Sequence, residues 1–292
     1  MKVAVTGATG FVGRHVLQAL AQQPGVDIVA SGSRPQTLLP LPEAVAYVPF
    51  DLAVSQPDAY ERLGRPDTLI HLAWAGLPNY RALRHFEMEL PRQFAFLQSM
   101  VGAGLRSLLV TGTCYEYGMT SGELSECVVA APSNPYAHAK SALREQLRFL
   151  RIAHPFALTW ARLFYMHGSG QPATSLLPQL AAAVARGDSR FAMSRGEQLR
   201  DYLAVDEVAR HIVALALRCP DAGTVNICSG QPIAVRALVE RTLVTQGWDI
   251  ELDLGKYPYP DYEPLAFWGS RARLNTLLGN ECHQAAALSS GH

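Results

Sequence analysis

The sequence predicts an α/β fold, a doubly wound parallel sheet followed by a smaller C-terminal lobe. Two observations carry that expectation. Through the first half, short apolar runs alternate with helix-period stretches, the pattern of a parallel sheet covered on both faces. A glycine-rich turn also stands between the first such run and the first such stretch. The expected strands are Lys2–Thr6, Asp27–Ala30, Val45–Val48, Thr68–Leu72, Ser107–Val110 and Ala157–Ala161, with helices over Gly13–Gln22, Phe86–Ala103 and Tyr136–Ile152. Right-handed crossovers then bring the strand C-termini, and any ligand, to one edge.

The second half is less regular. Helices are expected over Pro172–Arg186, over Asp206–Leu217 with Asp206 as N-cap, and over Ile233–Thr245. Strands are expected at Thr224–Cys228 and Ile250–Leu254, and Pro258 and Pro260 make Tyr257–Tyr262 a loop. The expected division is a dinucleotide-binding domain over 1–165, rejoined by 200–228, and a lobe from 166–199 and 229–282. Residues 283–292 are expected to be a disordered tail.

Composition excludes several classes. The 292 residues carry 25 Lys and Arg against 25 Asp and Glu, so no overall field draws the chain to nucleic acid or an anionic membrane. The five cysteines show no CxxC pair, which points away from a disulfide framework or a zinc site; no metal is expected. The apolar run Val3-Ala4-Val5 is too short for a signal peptide, and no segment approaches a membrane span. The expectation is a cytoplasmic protein.

The turn Thr6-Gly7-Ala8-Thr9-Gly10-Phe11-Val12-Gly13-Arg14 follows the first strand. Glycines permit a tight turn and close approach of backbone to a pyrophosphate, and the following helix N-terminus offers N–H groups to the same phosphates. The spacing is GxxGxxG rather than GxGxxG, so strand and helix context carries the assignment. After the second strand, Ala30-Ser31-Gly32-Ser33-Arg34 has no carboxylate and ends on Arg34. That favours NADP(H), with NAD(H) as the alternative. Asp51 and Leu52, after the third strand, are candidates to meet the adenine.

Tyr136 and Lys140 stand four apart at the start of a helix, downstream of Thr111-Gly112-Thr113-Cys114-Tyr115-Glu116-Tyr117-Gly118. A Tyr and a Lys four apart share a helical face, so their polar tips can converge on one ligand. An ammonium beside a phenol moves the phenol's pKa toward the working range. Thr113, at the mouth of the adjacent strand, can hydrogen-bond the reacting oxygen.

The glycine turn, His71-Leu72-Ala73, Thr113…Tyr117-Gly118, Tyr136…Lys140 and Arg200-Asp201-Tyr202 occur in an order that resembles the extended short-chain dehydrogenase/reductases. This is the NAD-dependent epimerase/dehydratase family. The resemblance implies a Rossmann-type domain with a substrate-binding lobe, a Thr113–Tyr136–Lys140 triad and a nucleoside-diphosphate sugar as substrate. In it the residue matching Tyr136 exchanges the proton, the one matching Lys140 also holds the nicotinamide ribose, and the one matching Thr113 orients the sugar oxygen. The implied cofactor set is Gly7, Thr9, Gly10, Phe11, Val12, Gly13, Arg34, Asp51, Leu52, Leu72, Ala73, Trp74, Lys140 and Leu163. The implied substrate set is Trp74, Tyr80, Thr113, Cys114, Tyr115, Tyr165, His167 and Arg200, with Arg200 on the diphosphate. Helices Phe86–Ala103 and Tyr136–Ile152 resemble those that pair in family homodimers.

Three departures narrow the reaction. The dehydratases carry Asp-Glu after the catalytic Thr, where this chain has Cys114-Tyr115. Glu116 comes one position later and, on a strand-like backbone, faces away. The acidic residue that 4-epimerases usually keep after the second strand is missing. Where the family usually has Asn before the fifth strand, Glu89 takes the place. The segment Tyr257–Gly269, with Thr113–Gly118 and Arg200–Leu203, looks like the branch reducing dTDP-4-keto-6-deoxyhexoses to dTDP-6-deoxytalose or dTDP-fucose. The leading expectation is therefore an NADP(H)-dependent reductase of such a dTDP-linked sugar. A 4-epimerase with retained NAD and a non-catalytic dinucleotide sensor are the alternatives.

Overall fold

The computed structural model describes residues 1–33, 42, 45–54 and 58–279. Arg34 and residues 283–292 lie outside the described residues.

The first half runs β1 (Lys2–Thr6), α1 (Phe11–Ala21), β2 (Asp27–Gly32), β3 (Val45–Pro49), α2 (Ala59–Arg62), β4 (Thr68–His71), α3 (Leu90–Gly102) and β5 (Ser107–Thr113). It continues through β6 (Gly122–Leu124), α4 (Pro135–Ala153), β7 (Ala157–Leu163) and β8 (Tyr165–His167). The second half runs α5 (Leu176–Arg186), β9 (Arg190–Ala192), β10 (Leu199–Ala204), α6 (Val205–Arg218) and β11 (Gly223–Ile227). It ends with β12 (Pro232–Ala234), α7 (Val235–Gln246), β13 (Glu251–Asp253), β14 (Phe267–Gly269) and α8 (Ala272–Leu278).

Seven strands form one sheet in the order β11-β7-β5-β4-β1-β2-β3, and every pairing is parallel. Strand alternation divides the core. Val3, Val5 and Leu109 face α1 and α6 with Val16, Leu17, Leu20, Val208 and Ile212. Ala4, Leu108 and Val110 face α3 and α4 with Phe96, Leu97, Met100, Leu143 and Leu147. Each such Leu, withdrawn from water, contributes about 1.5–3 kcal/mol before chain entropy is counted. The chain reverses direction across the sheet between β1 and β4, which opens a crevice at their carboxyl ends, the usual ligand position in this topology.

The remaining strands are short. β8, β10 and β12 form a three-stranded sheet, β13 pairs with β9, and β14 pairs with β6. A second core, with Leu180, Phe191, Met193, Val235, Val239 and Ile250, holds α5, α7, β9 and β13 together. Of the segment 200–228, α6 packs on the main sheet and β11 joins it, whereas its first residues form β10 in the small sheet.

Several element boundaries differ from expectation for identifiable reasons. The helix expected from Phe86 begins as a π-helical turn, His85–Glu89, in which the Leu90 N–H reaches back to the His85 carbonyl. Pro91 follows in the first turn of α3; it has no N–H to give and its ring crowds the preceding turn, which the wider π spacing relieves. The helix expected from Pro172 starts at Leu176, after Ser175, because Pro172 closes a turn with the Ser175 N–H. Ala204, not Asp206, caps α6; Asp206 sits in the first turn and contacts His15. Cys114–Tyr117 is a 3-10 turn rather than strand, which reverses the expectation for Glu116. Its carboxylate points inward and is fully buried.

Candidate functional site

The glycine turn sits at the crevice between β1 and β4. Gly7 has φ +70°, and a Cβ on it would lie 2.7 Å from the Ala73 nitrogen and 2.9 Å from the Leu72 carbonyl carbon. Only glycine lets the segment after β1 touch the segment after β4. A Cβ on Gly13 would lie 2.3 Å from the Gly7 oxygen, so α1 and the turn are in backbone contact. Gly10 begins α1 with extended backbone and no side-chain cap, which leaves first-turn N–H groups to a ligand. Thr9 abuts Gly32 at the end of β2, Ala8 donates to the Ser31 carbonyl at 3.0 Å, and Ser33 is exposed. No carboxylate lies at the described end of this strand.

Phe11 and Val12 are half-buried at the start of α1. Leu72 and Leu163, at the ends of β4 and β7, pack partly buried on the core of that face. Asp51 is exposed and accepts from the Ala53 N–H at 2.8 Å, while Leu52 packs on the opposite core. The cradle fits a dinucleotide: Gly7 and Gly13 stand where a Cβ would collide with backbone, and the α1 N-terminus has no side-chain cap.

The sequence-predicted catalytic residues converge at the ends of β5 and α4. Asn134 caps α4 by accepting from the Ala137 N–H at 2.9 Å, so Tyr136 and Lys140 stand on its first two turns. Lys140 is buried; its ammonium donates to the Thr111 carbonyl at 2.8 Å and lies 4.1 Å above the Trp74 ring. Burial pulls its pKa down to about 7, against the pull of the Glu116 and Glu89 carboxylates. Burial pushes the Tyr136 phenol far up, while the Thr113 hydroxyl acts in the opposite direction. Tyr136 therefore holds its proton and Lys140 is poised to exchange one near neutrality.

Thr113 is fixed by a carboxylate that strand alternation alone turns away from the site. Glu116 accepts from the Thr113 N–H and the Trp160 indole N–H, both at 2.9 Å, and pairs with Arg162 at 2.9 Å. The Thr113 hydroxyl accepts in return from the Tyr115 N–H at 3.3 Å. Glu89 is buried too; it accepts from the Ala75 N–H at 3.3 Å and pairs with Arg84 and Arg92. His71, with Thr6 at 2.7 Å and Gln93 at 2.6 Å, has its pKa pulled down to about 3 by burial and by Lys140.

Around Tyr136 lies an aromatic wall. Trp74 stands 5.9 Å from its ring, Tyr80 at 5.6 Å and His85 at 5.3 Å. Tyr80 in turn meets Tyr115 at 5.0 Å and Tyr262 at 6.1 Å, and burial pushes the Tyr80 phenol up to about 12. Burial raises the pKa of the Cys114 thiol and the Tyr115 and Tyr165 phenols even further, which makes all three inert as acids near neutrality. His167 is half-buried at the end of β8, beside Ala204, and burial with the nearby Arg241 lowers its pKa.

Arg200 differs most from expectation. It is buried, pairs with Glu263 at 2.8 Å, donates to the Leu199 and Leu265 carbonyls and lies over Phe267. In this structure it is not the open cation that a diphosphate contact calls for. Its neighbour Asp201 is fully buried and accepts from the N–H groups of Ser229, Gly230 and Gly269. For Glu263 and Tyr262 the sequence offers only a stretch rich in Tyr and Pro with two carboxylates, Asp261 and Glu263, and for His85 it offers no pattern.

Among the described residues no group of His, Cys, Asp or Glu could hold a metal, and no helix is long and apolar enough to cross a membrane. Comparison with known proteins is consistent with this site. The chain is 27% identical over 275 residues to a dTDP-6-deoxy-L-talose 4-dehydrogenase (NAD(+)) of Aggregatibacter actinomycetemcomitans, covering 93% of this chain and 100% of that one. It is 30% identical over 295 residues to a GDP-6-deoxy-D-mannose reductase of Pseudomonas aeruginosa, covering 95% and 91%. Among solved structures, MoeE5 in complex with UDP-glucuronic acid and NAD superposes with TM-score 0.81 at 25% identity, covering 96% of this chain and 93% of that one. Residues 3–228 match the NAD dependent epimerase/dehydratase family, and the chain belongs to it.

Proposed function

We propose that this enzyme is an NADP(H)-dependent reductase of a nucleoside-diphosphate 4-keto-6-deoxy sugar, dTDP-linked, with Tyr136 as proton donor to the C4 oxygen. The observation that carries it is the company kept by Thr113. Its hydroxyl faces the Tyr136 phenol, the next two residues are Cys114 and Tyr115, and burial keeps both of those protonated. Carbonyl reduction needs one proton donor and a polarising hydrogen bond, which this set contains; elimination of water needs a further acid and base, which it lacks.

A dinucleotide would be held by Gly7, Thr9, Gly10, Phe11, Val12 and Gly13 with Leu72, Ala73, Trp74, Lys140 and Leu163, and would supply the hydride. Tyr136 gives its proton to the oxygen on C4, and the Lys140 ammonium stabilises the phenolate left behind. Thr113 donates to the same oxygen and shares its developing charge. The Trp74, Tyr80, Tyr115 and Tyr165 side chains wall the sugar, and their ring faces suit a methyl at C6. The NADP(H) preference is supported by the absence of a carboxylate after β2. NAD(H) stays the alternative, since the talose dehydrogenase relative is named for NAD(+).

A cytoplasmic setting suits the four free cysteines among the described residues. A homodimer through α3 and α4 suits the exposed Met88, Phe149 and Ile152, the last 81% accessible. The test is oxidation of NADPH and of NADH against dTDP-, GDP- and UDP-linked 4-keto-6-deoxy sugars, with the product assigned by NMR. Stoichiometric oxidation with a new C4 hydroxyl supports the proposal. Interconversion of two sugars with no net cofactor change, by protein that carries NAD from purification, replaces it with a 4-epimerase.

A further inference from the structure

Glu263 belongs to the segment between β13 and β14, which the proposed chemistry does not use. Its two oxygens have different partners: one receives Arg200 at 2.8 Å, the other the Tyr165 hydroxyl. Tyr165 in turn lies 3.0 Å, oxygen to oxygen, from Tyr115, and Tyr115 packs against Tyr80, which packs against Tyr136. The chain of contacts thus runs unbroken from Arg200 to the reactive phenol.

The carboxylate fixes the direction of that chain. Paired with Arg200 it only accepts, so Tyr165 must spend its single proton on Glu263. Tyr165 is then the acceptor for Tyr115, and Tyr115 spends its proton there. What Tyr115 has left for a ligand is a lone pair.

We propose that Glu263 is a positioning residue for the sugar end of the site: by holding Arg200 and Tyr165 together it orients the Tyr165–Tyr115 hydrogen bonds so that the Tyr115 oxygen accepts from a hydroxyl of the bound sugar. Arg200, on this account, acts through Glu263 and not as a free cation. The inference rests on the nucleotide-sugar reading above. A Glu263→Gln amide offers a donor, can reverse both hydrogen bonds, and turns Tyr115 into a competing donor.

The test is a double-mutant cycle on NADPH oxidation with dTDP-4-keto-6-deoxyglucose, using Glu263→Gln, Tyr165→Phe and the pair. Each single change is expected to raise KM roughly tenfold with a smaller effect on kcat, and the double to be no worse than the poorer single. Unaltered NADPH affinity shows that the fold persists. Multiplying effects in the double, or an unmoved KM in either single, overturn the proposal. Should Glu263→Gln fail to fold, Tyr165→Phe with Tyr115→Phe gives the same cycle, with the same two outcomes. If the wild type turns over no 4-keto sugar, the substrate reading fails, and hydrogen exchange decides the positioning claim separately. Faster exchange at 262–267 in Glu263→Gln, with 3–13 unchanged, supports it; equal exchange at 262–267 overturns it.

Discussion

The two halves of the site are built from different materials. On the proposed cofactor side the surface is backbone: Gly7 and Gly13 stand where a Cβ would collide with backbone, and the α1 N-terminus at Gly10 has no side-chain cap. On the proposed sugar side the wall is made of side chains that satisfy one another, with Arg200, Glu263, Tyr165 and Tyr115 in one connected set. The first half is shaped by backbone without side-chain caps, the second by side chains bonded to one another. The cofactor half should therefore be broken by adding a methyl group, and the sugar half by removing an oxygen.

The largest expected effect lies where the halves meet. Tyr136→Phe should lower kcat by roughly 10²–10⁴ and leave dinucleotide affinity within about twofold, as read by steady-state rates and a fluorescence titration. Turnover within tenfold of wild type places the proton source elsewhere. Next comes Gly13→Ala, whose Cβ would lie 2.3 Å from the Gly7 oxygen, a backbone atom that cannot step aside. It should cost about 1–3 kcal/mol of stability and weaken dinucleotide binding about 100-fold, a ratio worth about 2.7 kcal/mol. A variant that melts and titrates like wild type removes the steric argument for this turn.

Glu116→Gln is expected to be milder. It keeps an acceptor for the Thr113 N–H but loses the charge that sustains the Lys140 proton. We expect kcat about tenfold lower, by the scale of one charge-assisted hydrogen bond, and an alkaline limb of the pH–rate profile moved to lower pH. A profile that merely scales down, with its limbs unmoved, limits Glu116 to holding the turn.

Lys140 also has a thermodynamic signature, read in the slope of stability with pH. Burial holds the folded-state pKa of Lys140 near 7, against 10.5 for an ordinary lysine. Between those values the unfolded chain binds more protons, so the contribution of Lys140 to stability rises with pH, by at most about 1.36 kcal/mol per unit, and is at its least favourable below pH 7. Lys140→Met should flatten that slope in denaturant titrations at pH 7 and 9.5. A parallel slope in both proteins shows that Lys140 is not the source.

The same contrast explains what the sequence made legible. Glycine spacing, strand periodicity and the Tyr136–Lys140 interval are local, and each maps onto β1, α1, β5 and α4 directly. The pairing of Arg200 with Glu263 spans 63 positions and joins β10 to the loop before β14. Three residues are too few to show a period, so β6, β8, β9, β12 and β14 had no signature. Glu116 was misplaced for a related reason: one 3-10 turn rotates a side chain that strand alternation sends to the other face. Pro91 shows a third kind of difference, since a proline tolerated in a helix's first turn also reshaped the residues before it.

The order in which the main sheet is completed has a consequence for synthesis. β7 ends at Leu163, and its outer neighbour β11 begins at Gly223, after β8, α5, β9, β10 and α6 have been made. On a ribosome adding about 5–20 residues per second, β7 therefore stays an unpaired edge for several seconds. Its Leu158 and Trp160, buried in the finished protein, sit on the strand whose backbone is open to any other extended chain during that interval. The nascent enzyme is most prone to aggregation between the emergence of these two strands, and a chain cut short before Ile227 keeps that exposed edge permanently.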